Sequence, residues 1–463
     1  MDIQVPKDSQ EVGVPRPSAR QTFNSWQKAV IGLLLCSCLL GLLTVGTEVL
    51  MLPLFLYALL TLLLCVHIIY LVFLTTIRNV DRLSIIDLIT PIGANPPYYT
   101  ILVPLYKESR ILPSLIDNLL SLDYPTDRIE IILLLEEDDK ETRVAIADFK
   151  LPSFFQILIV PSEMPRTKPH ALNVGLATAR GEFLVIYDAE DRPEADQLKR
   201  ALTAFRESDE RVACVQSRLN FYNPRQNLLT RLFTLEYSYW FDLFLPALSS
   251  IGAPIPLGGS SNHFRTSLLR TIGGWDAYNV TEDCDLGIYL AIAGYRTILI
   301  NSTTWEEANS QVGNWIRQRS RWVKGYLQTY LVHTRDLIGL VQHLGIQKFL
   351  LFQLYVGCAP LLLLLAPLFW ILTLIWNLGQ GQIIVWDLSS FLSLLSLVSL
   401  VFSVFAFLSC GLSSAVIRGN YDLIKVIPLF PLYVIFYYIA AWKGCIQLFT
   451  KPHYWEKTKH GLE

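Results

Sequence analysis

The sequence predicts an α/β fold, a mixed and mainly parallel sheet domain inserted between transmembrane α-helices. Short apolar runs alternate with amphipathic runs over residues 96–335, which is typical of a doubly wound sheet. Only 17% of the residues are charged, whereas soluble chains have about 25%. Long apolar runs stand on both sides of the alternating block, at about 28–45, 49–76, 350–377 and 387–415.

The chain begins with a polar, proline-containing stretch, residues 1–25, that has no apolar periodicity. We predict a disordered tail there, and not a cleaved signal peptide, because a short apolar core behind a charged start is missing. Two transmembrane helices are expected in residues 26–77, since a spanning helix needs about 20 apolar residues. His67 lies in the second; a packed histidine and a proton-relay group are both open readings.

The middle block, residues 96–340, is predicted to form the sheet domain together with interfacial helices. Its strand-like runs include YTILVPLY, IEIILLL, FQILIV, EFLVIYD and VACVQSRL, each followed or preceded by a helix-like run such as HALNVGLATA. In such sheets, ligands bind at the carboxyl ends of the strands. The residues that directly follow each strand are therefore the candidates for a functional site.

Two further transmembrane helices are predicted in residues 345–417. Residues 421–463 follow as an interfacial or re-entrant helix, because Pro428 and Pro431 shorten the helical part of 426–442, and then a basic tail. With four crossings, most loop cations fall on one side, and the positive-inside rule makes that side cytoplasmic. We expect an integral protein of the plasma or inner membrane, with the sheet domain and the tail in the cytoplasm.

Charge and cysteine usage exclude other classes of protein. The net charge of −2 argues against a nucleic-acid partner, since nucleic-acid-binding domains carry excess positive charge. None of the eight cysteines forms a CxxC pair, and most lie in apolar runs. They are expected to be small buried side chains, neither a disulfide framework nor a zinc site.

Carboxylates follow several of the predicted strands. Asp188 comes directly after a strand-like run, and Glu190 stands two positions later, where an extended chain points both side chains the same way. Two such carboxylates suit Mg²⁺ or Mn²⁺, which typically take one or two carboxylates together with substrate phosphates. For Asp138 and Glu282, capping of the following helix is an equally good explanation.

The basic, aromatic stretch IRQRSRWVKGYLQT, residues 316–329, has apolar residues at helical spacing. Gln318 and Arg321 lie three residues apart on its more polar side, whereas Arg319 falls in the apolar stripe. An interfacial helix with cations reaching to the membrane surface is the alternative to a phosphate-binding helix. Arg317 and Lys324 are expected to be plain surface charges.

Together, DAED, TED and QRSRW, which follow one another on one sheet domain, resemble the D, DxD, TED, Q(Q/R)xRW motifs of membrane-embedded family 2 glycosyltransferases. That family includes the cellulose, mannan and hyaluronan synthases. The resemblance implies a cytoplasmic GT-A type domain, a metal-dependent hexosyltransferase activity, and Mg²⁺ or Mn²⁺ as the cofactor.

The resemblance also implies roles for particular residues. Metal binding is implied for Asp188 and Glu190, with Asp191 as a possible substitute ligand. The catalytic motif places Asp283 as general base, with Glu282 beside it. The nucleotide-sugar site would comprise Glu136 or Asp138, whose assignment stays open, and Lys168, Asp188, Gln318, Arg319 and Arg321. The acceptor site would comprise Trp322 and, in the loop 256–265, Gly259, Ser260 and Asn262.

The tail PHYWEKTKHG, residues 452–461, resembles the gating loops of mannan and hyaluronan synthases, with Trp455, Thr458 and Lys459 in the matching places. A solvated basic tail beside the membrane is the alternative.

The expected function is inverting transfer of a β-linked sugar from a UDP- or GDP-sugar, elongating and exporting a polysaccharide. The alternative is the addition of one sugar to a lipid acceptor. The expected partners are the nucleotide sugar, a growing glycan or lipid, the bilayer and an accessory export subunit. A transporter or scaffold with an inert sugar-nucleotide fold is disfavoured, because the apolar segments carry almost no charges.

Overall fold

The structure, a computed structural model, describes residues 16–44, 51–77, 85–86, 90–93, 95–162, 164–380 and 388–458. The strands are β1 (Ile85–Ile86), β2 (Tyr99–Leu105), β3 (Ile129–Glu136), β4 (Phe155–Val160), β5 (Phe183–Ile186), β6 (Arg192–Pro193), β7 (Val212–Phe221), β8 (Asn262–Arg265) and β9 (Arg296–Glu306). They form one sheet in the order β1-β9-β7-β8-β5-β2-β3-β4, and β6 pairs with β9.

Helices cover both faces of this sheet and flank it in the sequence. They are α1 (Ser25–Thr44), α2 (Met51–Ile77), α3 (Leu112–Leu120), α4 (Lys140–Ala147), α5 (Lys168–Thr178), α6 (Gln197–Arg206), α7 (Leu228–Ser238), α8 (Leu245–Ser250), α9 (Thr266–Thr271), α10 (Glu282–Ile292), α11 (Val312–His333), α12 (Leu337–Phe352), α13 (Ala359–Gln380), α14 (Leu388–Ile417) and α15 (Phe430–Thr450).

The predicted sheet is confirmed as mixed and mainly parallel. Strand β8 runs antiparallel to β5 and β7, β6 runs antiparallel to β9, and the other described pairs are parallel. Along β2, Ile101 and Val103 enter one apolar core and Leu102 enters the other. Burial on both faces explains why the parallel strands have continuous apolar sequences.

One long strand was missed by the sequence analysis. Strand β9 contains the polar stretch Asn301–Thr304, which does not follow the apolar pattern of the other strands. Its polar side chains are nevertheless buried beside helix α6: Gln197 donates to Ser302 at 3.2 Å and to Thr304 at 3.0 Å. Internal hydrogen bonds thus replace apolar packing in this strand.

In the described part of the chain, four helical segments are long and apolar enough to cross a membrane: Leu52–Thr75, Leu337–Phe369, Leu394–Ile417 and Tyr421–Thr450. Helix α1 is apolar but shorter by this measure, over Ser25–Gly41. Gly345, at φ 74°, interrupts the helical backbone of α12. The sheet domain is therefore flanked on both sides by helices of membrane-spanning length and composition.

The segment between α14 and the tail contacts the sheet domain at both ends. At its start, Arg418 forms a paired contact with Asp242 at 2.6 and 2.7 Å. At its end, the ammonium of Lys324 donates to the carbonyl of Tyr454 at 2.6 Å. Helix α15 begins at Phe430 with a proline in its first turn, where the missing N–H costs nothing. The segment is therefore attached to the sheet domain both before and after α15.

The expectation of disorder for residues 1–25 does not hold for the described residues 16–25. Ala19 is fully buried, and the ring of Phe23 stacks on that of Phe449 with centroids 5.1 Å apart. Composition could not reveal this order, because the partners of these residues lie more than 200 positions away. Residues 1–15 lie outside the described residues.

Candidate active site

A cavity of about 1060 Å³ opens where the strands end. Its wall at one end consists of polar residues that follow β3 and β5 and of side chains from α11. Its wall at the other end consists of apolar and aromatic side chains from α2, from the π-helical turn Tyr239–Phe244 and from α13. The cavity thus joins the carboxyl edge of the sheet to the helices of membrane-spanning length.

Two carboxylates from the end of β3 face this cavity, those of Glu136 and Asp138. The next residue, Asp139, is the helix cap, because its side chain accepts from the N–H of Thr142 at 3.2 Å. Burial and the nearby charge of Asp138 raise the pKa of Glu136 to about 7. Asp138 pairs with Arg166 at 2.9 Å on the rim. Both candidates for the nucleotide contact therefore stay in place.

The turn after β5 presents Asp188 and Glu190 to the cavity and keeps Asp191 behind its wall. A carboxylate oxygen of Asp191 accepts from the backbone N–H of Asp188 at 2.9 Å, which fixes the turn. The ammonium of Lys168 lies 2.5 Å from Asp188 Oδ1. Burial, together with the charge of Asp188, raises the pKa of Glu190 to about 8.

This donor set suits a divalent cation that is completed by phosphates. Within the described residues, no three His, Cys, Asp or Glu side chains converge into a complete metal cage. Mg²⁺ is usually held by one or two carboxylates plus phosphate and water oxygens, so a complete cage is not required. Burial, and then the charge of Asp188, raises the pKa of Glu190, so a cation bound beside these two carboxylates would be stabilised. Asp188 and Glu190 are the residues that fit the role.

The candidate base lies opposite this turn, across a glycine. Asp283 is in the first turn of α10, and its Oδ1 accepts from the N–H of Cys284 at 2.7 Å. A Cβ at Gly259 would lie 3.4 Å from Asp283 Oδ2 and 4.0 Å from Asp188 Oδ2. The two carboxylates therefore face each other across a space that any side chain at this position would fill.

The charges around Asp283 are arranged as in a site for a phosphorylated substrate. Burial raises the pKa of Asp283, and it raises that of Glu282 to about 8 with help from the charge of Asp283. Burial lowers the pKa of the Arg321 guanidinium, although four carboxylates oppose that shift. Lys168 also donates to the carbonyl of Gly259 at 2.8 Å. Lys168 and Arg321 thus lie among several carboxylates around Asp283, and their two positive charges do not balance all of the negative charge.

Helix α11 approaches the base very closely, because Gly325 has no side chain. A Cβ there would lie 2.2 Å from Thr281 Oγ1. On the opposite side, a Cβ at Gly444 of α15 would lie 2.5 Å from the carbonyl of Ser320. Such distances exclude any other residue without a backbone shift. Helix α11, which carries Gln318, Arg321 and Trp322 on the cavity wall, therefore packs closely against the Thr281 side chain at Gly325 and against the backbone of α15 at Ser320.

Arg319 is committed to a buried ion pair. Its guanidinium lies 2.8 Å from Glu236 and 4.1 Å from the centroid of the Trp322 ring. The Tyr433 and Tyr437 hydroxyls donate to the same carboxylate. This arrangement explains why an arginine stands in the apolar stripe of α11. The guanidinium faces aromatic rings and one carboxylate, and it supports Trp322 from beneath.

We expect Arg319→Met to lower the free energy of unfolding by about 3–5 kcal/mol, because it leaves Glu236 without its countercharge. Thermal unfolding of the purified protein in detergent measures the change. Arg317→Met, on the same helix, is the matched control, since the Arg317 side chain bonds the exposed carbonyl of Gly313. Equal melting temperatures for the two variants would contradict the assignment.

The residues of the predicted acceptor loop do not all face the cavity. Gly259 lies on the cavity wall, whereas Ser260 and Asn262 are buried behind it. Asn262 donates to the carbonyl of Gly258 at 2.6 Å and so braces the loop. Glu306, at the end of the missed strand β9, also lines the cavity, and burial raises its pKa. Glu306 follows Trp305 in the sequence WEEANS, and the course of β9 brings it to the cavity.

The C-terminal tail lies over the polar end of the cavity. The ring of Trp455 stacks on the guanidinium of Arg321, 4.6 Å from its carbon, and Thr458 is buried on the cavity wall. Lys457 pairs with Glu108 at 2.8 Å. Lys459, the third residue predicted for a gating loop, lies outside the described residues.

The prediction that Lys324 is a plain surface charge is wrong. Its side chain is fully buried, and it donates to the carbonyls of Tyr454 and, at 3.4 Å, Lys451. Burial lowers its pKa to about 8. Helix periodicity could not show this, because the chain that covers Lys324 comes from the distant tail.

The sequence of this chain matches two glycosyltransferase family models. The model of the family described as "Glycosyl transferase family group 2" matches residues 183–443, more than half of the chain, and that of "Glycosyl transferase family 2" matches residues 100–261. The chain belongs to glycosyl transferase family group 2. The matched ranges include Asp188, Asp283, Gln318 and Arg321.

Similar members of glycosyl transferase family 2 come from several lineages. A β-monoglucosyldiacylglycerol synthase of Nostoc sp. is 26% identical over 290 residues, covering 60% of this chain and 60% of the relative. A probable glucomannan 4-β-mannosyltransferase of rice is 26% identical over 238 residues, covering 50% of this chain and 40% of the relative. The chain thus spans about half the length of these relatives.

A solved structure shows the same fold. The mannosyltransferase of Pyrobaculum calidifontis, solved with GDP-mannose and Mn²⁺, aligns with a TM-score of 0.53 at 21% identity. The alignment covers 79% of this chain and 99% of that protein. The GT-A type of sheet predicted for the glycosyltransferase domain is therefore confirmed.

Proposed function

We propose that this chain is a membrane-bound, metal-dependent, inverting glycosyltransferase in which Asp283 is the general base. The observation that carries the proposal is the pair of carboxylates, Asp283 and Asp188, that face each other across Gly259. Inverting transfer needs one base on the acceptor hydroxyl and positive charge on the leaving diphosphate. Asp283 would take the proton, and Lys168 and Arg321 would bind the diphosphate.

The proposed donor is a UDP- or GDP-sugar with Mg²⁺ or Mn²⁺. The Pyrobaculum protein, whose fold this chain shares, was solved with GDP-mannose and Mn²⁺. In this chain, Asp188 and Glu190 would hold the ion, which when bound would stabilise negative charge on the diphosphate. Glu136 or Asp138 would contact the nucleotide at the end of the cavity that is lined by the loop after β3.

The far end of the cavity favours a lipid acceptor over a growing polysaccharide. Leu64 and Ile68 of α2, Phe244, and Pro360 and Leu363 of α13 line that end. Tyr355 lies there too, and its hydroxyl is 2.6 Å from Nδ1 of His67, which explains His67 as a packed histidine. An apolar wall suits acyl chains, whereas a sugar polymer needs hydrogen-bond partners along its path. The Nostoc relative is named for a glycolipid product.

Polysaccharide elongation is the second candidate, supported by Trp322 on the cavity wall, where an aromatic ring could stack on a sugar. The rice relative is named as a glucomannan mannosyltransferase. This version would also require export across the bilayer, for which an accessory subunit is the proposed partner.

Product size distinguishes the two candidates. Purified protein would be incubated with Mn²⁺, diacylglycerol vesicles and a radiolabelled donor from a panel of UDP- and GDP-sugars. We expect an organic-phase product that carries one sugar and that forms only with lipid present. A water-soluble product whose length grows with time would favour the polysaccharide. Failure of every donor to transfer would contradict the proposed activity.

The proposed membrane arrangement keeps residues 16–24, the sheet domain and the described part of the tail in the cytoplasm. The chain contacts the sheet domain before α15, at Arg418, and after it, at Tyr454, and these contacts support the interfacial or re-entrant placement of residues 426–442. Residues 16–19 also contact the sheet domain. Two crossings before the domain and two after it satisfy all these contacts. Labelling of a cysteine introduced in the tail from outside intact cells would contradict this arrangement.

The tail is proposed to close over the bound nucleotide sugar. Because Trp455 stacks on Arg321, we expect Trp455→Ala to weaken donor binding by about 0.5–2 kcal/mol, a rise in KM of about 2- to 30-fold. Initial rates against donor concentration measure this. Tyr421→Ala is the matched control, since that ring is exposed and does not line the cavity. An unchanged KM in Trp455→Ala would leave the tail as a solvated basic segment.

A further inference from the structure

The segment before the first helix, residues 16–24, which we name the N-terminal strap, is bound to the loop that leads into α10. Ser18 Oγ donates to Asp276 Oδ1 at 2.8 Å, and the N–H of Ala19 donates to Asp276 Oδ2 at 2.5 Å. Asp276 itself is almost fully buried. The strap therefore determines the path of the loop that ends at the proposed base.

The strap also reaches the base helix directly, through Arg16. One oxygen of Asp285 lies 3.2 Å from the Arg16 guanidinium, and the other lies 2.9 Å from Nε2 of His333. The same guanidinium donates to the carbonyl of Gly274 and lies 5.0 Å from the ring centroid of Tyr289, one turn further along α10. Arg16 thus joins the loop to two successive turns of the helix.

A carboxylate in this place needs its partners. Asp285 is fully buried, and a buried carboxylate without a paired charge is costly. Burial would raise its pKa, but His333 and Arg16 hold that pKa below its ordinary value. His333 is the last residue of α11, the helix that carries Arg321 and Trp322. Asp285 therefore connects three elements: the strap, the base helix and the helix that would bind the diphosphate.

We propose that Arg16 is a positioning residue that fixes the first turn of α10 and thereby aims Asp283 at the space beside Gly259. The inference rests on the proposed role of Asp283 as base. Asp285 stands two residues after Asp283, so any movement that relieves an unpaired Asp285 also moves the base. Arg16 does not line the cavity, so it would affect the rate of transfer and leave donor binding unchanged.

The test compares Arg16→Ala, Arg16→Lys and Arg296→Ala in the full chain. We expect Arg16→Ala to lower kcat by about tenfold or more, because a 1 Å displacement of a reacting group can cost about 100-fold. We expect the KM for the donor to change by less than about twofold, because uniform binding is untouched. Arg16→Lys should recover part of kcat, since it keeps the charge opposite Asp285.

Arg296→Ala is the matched control, since it removes an arginine–aspartate pair, with Asp209 at 2.6 Å, whose members are both more than half exposed. Its kcat should equal that of the unmodified chain. The proposal is overturned if Arg16→Ala keeps its kcat, if KM rises as kcat falls, or if Arg16→Lys is no better than Arg16→Ala.

Two additional measurements keep the outcome interpretable. Should Arg16→Ala fold poorly, as a lowered melting temperature would show, the comparison of Arg16→Lys with the unmodified chain decides, with a smaller drop in kcat expected at constant KM. Asp283→Asn is measured in parallel. If Asp283→Asn stays active, the proposed base fails on its own evidence, whatever Arg16→Ala does. If Asp283→Asn is inactive but the Arg16 variants have the same kcat as Arg296→Ala, the positioning role fails and the proposed base stands.

Discussion

Asp283→Asn should lower kcat by about 10²–10⁴-fold, the range that general base catalysis typically contributes. The amide keeps the size of the side chain and can still bond the N–H of Cys284, so the start of α10 should stay in place. It cannot take a proton from the acceptor. Transfer of radiolabelled sugar gives the rate, and calorimetric titration with UDP or GDP in the presence of Mn²⁺ should give an unchanged affinity.

The neighbouring carboxylate is the matched control for this result. Glu282→Gln also removes one negative charge from the first turn of α10, and we expect a smaller loss of kcat, because Glu282 is not the carboxylate that faces Asp188 across Gly259. The pH profile is a second check. A base acts when deprotonated, and burial raises the pKa of Asp283, so kcat/KM should fall on the acid side at a pH above the ordinary aspartate pKa of about 4. Equal losses in both variants would place the base elsewhere.

Asp188→Asn should lower kcat/KM by about 10²–10³-fold, as the loss of one charge-stabilising group in a preorganised site does. Asp188 would be both a ligand of the metal and the partner of Lys168, whose ammonium lies 2.5 Å away. Without it, the site would lose negative charge and hold the divalent ion less tightly. Titration of the transfer rate with Mn²⁺ should show a higher half-saturating concentration.

Asp209→Asn is the control for this second result, because Asp209 is exposed and pairs only at the surface with Arg296. An unchanged Mn²⁺ requirement in Asp188→Asn would exclude Asp188 as a ligand. If Asp188→Asn left the Mn²⁺ requirement unchanged and Glu190→Gln raised it, Glu190 alone of the two carboxylates would bind the ion.

Much of the fold was predictable because buried strands have a recognisable pattern of apolar residues in this sequence. Parallel strands covered on both faces, such as β2 and β3, must be apolar throughout, and that pattern is legible. Strand β9 was not predicted because the hydroxyls of Ser302 and Thr304 find hydrogen-bond partners inside the domain, so the strand does not need an apolar sequence. No periodicity records hydrogen-bond partners that come from a helix a hundred residues earlier.

The site was predictable where strand ends define it and unpredictable where distant segments complete it. The positions of Asp188 and Glu136 follow from the strands before them, so the sequence could place them together at the cavity. The burial of Lys324 depends on the tail, and that of Asp285 depends on Arg16. These contacts join parts of the chain more than 100 residues apart, and local patterns carry no information about them.

In the proposed membrane arrangement, the contact of Gly444 with the backbone of α11 would determine how high the reacting atoms stand above the membrane. Helices pack with their axes 8–10 Å apart, and a glycine at the contact favours the short end of that range. If α15 lies in the interface, Arg321 and Trp322 are carried about one helix diameter above it. A hydroxyl on a lipid headgroup reaches that height while its acyl chains stay in the bilayer. The height of the site above the bilayer would then select for an acceptor anchored in the membrane, independently of the side chains that contact its sugar.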